Sequence, residues 1–166
     1  SDVYKRQVDI QNKNKELLSQ VVELEAKLSF KKEVEANISK VQRISSKLND
    51  NVKKFNKEIT FYEQHDSCPT CQQEIKPDFK TLEIQKKNDK IEECNQGLLQ
   101  VQSNLEKLDS KLADARKIES EMEVIQLQVQ KHNSTVDAIN QFIKRIAKET
   151  LELKDCLLYT SPSPRD

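Results

Sequence analysis

The apolar residues of this chain recur at intervals of three and four over most of its length. In the first half, Leu17, Val21, Leu24 and Leu28 are followed, after an interruption, by Val34, Ile38, Val41, Ser45, Leu48, Val52, Phe55, Ile59 and Tyr62. In the second half the alternation runs Ile91, Cys94, Leu98, Val101, Leu105, Leu108, Leu112 and Ala115. It continues through Ile118, Met122, Ile125, Val129, His132, Val136, Ile139, Ile143 and Ile146. A repeat of about 3.5 residues with polar positions between is a coiled-coil seam. A lone helix would leave that stripe in water, so each half needs a helical partner.

The obvious partner of each half is the other. Residues 64–78 interrupt the pattern and hold two of the four prolines, Pro69 and Pro77. Each would cost a continuous helix about 3 kcal/mol or more. The expected fold is therefore all-α: a long antiparallel coiled-coil hairpin with a first arm over 8–63, an apex over 64–78 and a second arm over 79–155. The first arm is expected to end near Glu63. Asp78, just after Pro77, reads as the N-cap of the second. An arm of about 57 residues would be roughly 85 Å long.

Two consecutive spacings of three occur at Leu28, Lys31, Val34 and again at Leu112, Ala115, Ile118, and such a stammer overwinds a coiled coil locally. Hairpin pairing puts Lys31 opposite residues near 111–115. The small Ala115 would there leave room for the aliphatic stem of Lys31, with its ammonium in water. The same register sets Ser45 beside Gly97 and Leu98, a second soft layer because glycine weakens helices.

The two ends stand apart. One codon choice for residues 156–161, read on the opposite strand and offset by one base, encodes Asp2 to Arg6 and begins the codon of Gln7. Residues 1–7 (SDVYKRQ) and 156–166 (CLLYTSPSPRD) thus resemble one transposase-type sequencing adapter translated in opposite orientations. They are expected to contribute no native packing. Residues 8–155 are then the native segment of a longer protein, and Cys156, Pro162 and Pro164 fall outside it.

Composition agrees with long helices: 34% charged residues, 5% aromatic, no Trp and a single glycine, Gly97. Twenty-eight Lys and Arg balance 28 Asp and Glu, so the basic excess that phosphate binding needs is missing. No apolar run is long enough to cross a bilayer, and no secretory signal is visible. A cytoplasmic, reducing setting is expected, in which a close cysteine pair suggests metal or redox chemistry over a structural disulfide.

That pair is Cys68 and Cys71, in EQHDSCPTCQQEIKPDF. C-x-x-C places two sulfurs on one tight turn, a geometry that zinc uses, but structural zinc takes four ligands. His65 is a candidate third ligand, though a polar bend residue is the simpler reading. Cys94 and His132 occupy seam positions and read as buried residues. A redox dithiol would sit beside a βαβ unit, and no strand pattern exists here. A zinc ribbon within one chain would need a second C-x-x-C. A second chain bringing an identical pair would complete four thiolates on a two-fold axis. A purely structural coiled-coil scaffold with an incidental C-x-x-C is the alternative.

CPTC followed by Gln72, Gln73 and Glu74, at the apex of an antiparallel coiled coil, resembles the zinc hook of SMC-like DNA-repair ATPases, the large subunits of SbcCD-class nuclease complexes. The Gln-rich wording and the arm composition are similar to the large subunit of the tailed-phage recombination endonuclease. The specific part covers residues 62–80; the arms match only in kind. The resemblance implies that Cys68 and Cys71 ligate zinc, one ion per two chains. It also implies that Pro69 serves the turn and that Tyr62, Ile75 and Phe79 pack the base of the hook.

It further implies a parent protein with ATP- and Mg²⁺-binding heads outside this segment. Those heads would engage a nuclease subunit and DNA during recombination and double-strand-break repair, in a bacterial host cell and on a phage-encoded chain. The segment has no G-x-x-x-x-G-K-[ST], so it is not itself expected to be an enzyme.

Overall fold

The computed structural model describes residues 2–160 of the 166. Among these the chain is all-α: α1 (Asp2–Lys27), α2 (Lys31–Gln64) and α3 (Pro77–Thr160). An isolated antiparallel bridge between Ser67 and Glu74 is the one β feature among the described residues. No helix there is long and apolar enough to cross a membrane. The chain divides into two compact units, one holding residues 2–29 and 117–160, the other Phe30–Arg116. α3 supplies one helix to each.

In the unit Phe30–Arg116, α2 runs antiparallel to the first part of α3. Glu58 Oε2 meets Lys87 Nζ at 2.9 Å, Leu48 faces Gly97, and Val34 shares a hollow with Leu108 and Lys111. This register sets Lys31 at the height of residues 111–115, as the spacing predicts. Val34, Cys94, Val101 and Ala115 are buried, Ala115 completely. Most other seam residues stay half-buried, because two helices enclose only part of a side chain's perimeter.

Within this register Leu48 packs on Gly97. A Cβ on Gly97 would lie 3.1 Å from Leu48 Cδ1. The missing side chain admits the leucine.

In the other unit, α1 runs antiparallel to the later part of α3. Gln7 Nε2 donates to Asn140 Oδ1 at 2.6 Å, and Asn14 Nδ2 to Asn133 Oδ1 at 3.0 Å. Val21 is buried. Residues 2–7 extend the helix of the arm: α1 begins at Asp2, and Val3 and Gln7 are half-buried. Both continue the three–four spacing back from Ile10, and extending an existing helix adds a hydrogen bond per residue without a new nucleus. At the other end residues 156–159 continue α3 with exposed side chains; 161–166 lie outside the described residues.

The first arm, expected as one element over 8–63, is two helices. Leu28 N–H is shared between the carbonyls of Leu24 and Glu25, each at 3.1 Å, and Ser29 N–H reaches Ala26 O at 3.4 Å. The backbone thus tightens to three residues per turn where the side chains are spaced by threes, and α2 restarts after Phe30 without a side-chain cap. The second run of threes leaves α3 unbroken: Leu112, Ala115 and Ile118 all point inward on a continuous helix.

Candidate metal centre

Residues 65–76 join α2 to α3. α2 ends at Gln64, where His65 turns extended (φ −128°, ψ 127°). The chain then folds on itself as a short ladder. Ile75 N–H donates to Asp66 O at 2.8 Å, Ser67 bridges Glu74, and Cys68 N–H donates to Gln73 O at 2.8 Å. Gln72 N–H closes the turn on Cys68 O at 2.7 Å. Pro69 takes the outer corner, exposed, where no amide proton is needed. Gln72 adopts a left-handed conformation, φ 60°, so that the chain can re-enter the ladder.

The turn aims polar groups at one sulfur. The backbone amide of Cys71, then that of Thr70, then the Cys71 thiol act on Cys68 and hold its thiol below the ordinary cysteine range. That favours the thiolate, the form that binds metal. Cys68 is half-buried and Cys71 exposed. Two soft donors on one turn with amides supporting the anion fit zinc chemistry.

The base of the ladder is clamped twice. Lys80 Nζ donates to Asp66 Oδ1 at 2.9 Å, which holds the Asp66 carboxyl below its usual range. Tyr62 and Phe79 meet edge to face, centroids 6.3 Å apart, and Phe79, Ile75 and Cys68 line one shallow hollow. The structure thus brings Tyr62, Ile75 and Phe79 to the base of the turn, whereas Pro69 shapes the turn without packing.

His65 is held elsewhere: its ring stacks on Phe61 at 4.8 Å, and Phe61 O accepts from its Nδ1 at 2.9 Å. Among the described residues no group of three or more His, Cys, Asp or Glu could hold a metal ion. Cys94 is buried in the seam.

Asp78 is not the cap of α3. Pro77 is its first residue, and Lys80 N–H bonds Lys76 O at 2.9 Å. Proline's fixed φ suits that first position, and Asp78 follows as the acid of the first turn. Sequence reasoning missed the Asp66–Lys80 clamp and the left-handed Gln72. The only signal for the clamp was an acid and a lysine at the two ends of the interruption. Comparison of the chain with protein-family models, curated proteins and solved structures finds no match.

Proposed function

We propose that the Cys68–Cys71 turn is half of a four-thiolate zinc site, completed by the same turn of a second chain. On this reading the chain is a zinc-mediated dimerisation and tethering module, the zinc hook of an SMC-like ATPase subunit of a nuclease complex acting in DNA recombination and double-strand-break repair. The observation that carries it is two free cysteines placed three positions apart on one hydrogen-bonded turn between α2 and α3. Structural zinc takes four ligands, and a two-fold axis supplies four from two identical pairs.

When bound, zinc supplies a structural cross-link. Cys68 and Cys71 hold it, the Cys71 and Thr70 amides support the thiolate, and the Asp66–Lys80 and Tyr62–Phe79 contacts hold the turn on the helix ends. ATP, Mg²⁺, the nuclease subunit and DNA belong to head domains beyond this segment. The setting is the cytoplasm of a bacterial host and the gene phage-borne, with no membrane partner; these attributes rest on the resemblance of the CPTC turn.

Sedimentation of the chain with zinc and then with chelator tests the reading. A zinc-dependent dimer that Cys68→Ser or Cys71→Ser abolishes, with helix content intact, is expected. A dimer retained in the double variant refutes it. A monomer under all conditions leaves a coiled-coil scaffold with an incidental C-x-x-C.

A further inference from the structure

The chain is poor in aromatic residues, with five Phe and three Tyr, yet Phe55, Phe61, Tyr62 and Phe79 all fall within residues 55–79. Phe61 and Tyr62 are in edge contact at 5.5 Å, and Tyr62 and Phe79 at 6.3 Å. These contacts leave much of the surface in water. Phe79 remains 50% exposed, and Leu82, one turn further along the same face of α3, is 54% exposed. Neither is a member of the three–four seam, and the contact of Phe79 with Tyr62 leaves half of its ring uncovered. An exposed ring and an exposed leucine on one helix face beside a polar turn, backed by half-buried rings, have the composition of an interface centre.

We infer that the Phe79–Leu82 face, together with the hollow over Ile75, is a contact surface for a second copy of this chain, seated beside the thiol pair. The inference rests on the shared-zinc reading and adds to it a protein–protein contact that the metal alone does not supply. Two features of the turn select a second copy as the occupant. Cys68 and Phe79 line the same hollow, so a chain bringing thiolates to Cys68 and Cys71 arrives against Phe79. A two-fold contact must also be self-complementary. Glu74 and Lys76 flank Ile75 at the rim of that hollow, and across a two-fold axis the acid of each copy can meet the lysine of the other. Burying Phe79 and Leu82 there excludes water from the thiolates and fixes the angle between the two turns.

The test is sedimentation equilibrium of the full chain with zinc and with chelator, for the parent, Phe79→Ser and Leu82→Asp. Circular dichroism follows helix content. Leu82 lies beyond the ladder, so its variant reports on the face without disturbing the turn. Both substitutions are expected to weaken the zinc-dependent dimer at least tenfold at unchanged helix content. A zinc-dependent dimer with the parent's dissociation constant in both variants overturns the contact face and leaves the shared zinc site standing. A parent dimer insensitive to chelator but lost in both variants supports the face and overturns the zinc reading. A parent that is monomeric in zinc overturns both.

Discussion

His132 Nδ1 lies 2.7 Å from Asn14 Oδ1, and Asn14 passes its own amide to Asn133 at 3.0 Å. Asn14 is buried. A polar layer in an apolar seam lowers stability and fixes register, since sliding either helix would strand its members. Truncating Asn14→Ala leaves its partners unsatisfied and is expected to cost about 1–3 kcal/mol. Replacing both seam members, Asn14→Leu with His132→Leu, should restore or exceed the parent's stability. Chemical denaturation of the three proteins checks this. A double variant less stable than Asn14→Ala would show that the layer does more than hold register.

Gln72 is a non-glycine residue at φ 60°. A side chain in that region costs roughly 1–2 kcal/mol, and glycine removes most of the cost. Gln72→Gly should relax the turn and raise zinc affinity in a chelator competition by about fivefold, the equivalent of about 1 kcal/mol. Gln72→Val should lower affinity, because a β-branched residue resists φ > 0. Equal affinities for all three would mean that the turn is fully formed without metal, so that the conformation of Gln72 does not limit binding.

Gly97 is the chain's one glycine and sits inside α3. Alanine there gains up to about 1 kcal/mol of helix propensity. The atom it would approach, Leu48 Cδ1 at 3.1 Å, is the far end of a flexible side chain and can move by a few tenths of an ångström. Gly97→Ala should therefore raise the thermal midpoint. A lowered midpoint would show that Leu48 is wedged.

Much of this was legible in the sequence, and the misses share a cause. The three–four spacing of apolar residues determined the helices, their antiparallel pairing and the buried position of Cys94. The same filter passed over Asn14, because a polar residue carries no apolar signal even at a seam position. Lys31 and its neighbours revealed a spacing defect but not that backbone hydrogen bonds would give way in α1–α2 and hold in α3. Pro77 rules out one continuous helix, and its ring is preorganised for the first position of α3. The thiol pair stood out by residue type alone. The amides aimed at Cys68 depend on a ladder whose register only the folded turn defines.

The Glu58–Lys87 pair predicts an acid limb. The Lys87 ammonium, 2.9 Å from Oε2, is the largest cause holding the Glu58 carboxyl below its ordinary range, against an opposing effect of burial, and the same ion pair raises Lys87. A lowered acid contributes stability above its unfolded pKa, near 4.5, and loses it as pH falls through the folded value. A raised lysine contributes below about 10.5 and loses it as pH rises further. The pair is partly exposed, so its effect is small and weakened by salt. Glu58→Gln should melt below the parent between about pH 5 and pH 10 and converge with it under acid conditions. A gap as wide at pH 3 as at pH 7 would exclude the ion pair as its source.

Native mass spectrometry of the zinc-loaded chain tests the central claim most directly, because one spectrum reports chain number and metal number together. A shared hook predicts a complex of two chains and one zinc ion that collapses to metal-free monomers on acidification, as thiolate ligands protonate. One zinc on each monomer, or a dimer that carries no metal, would contradict it.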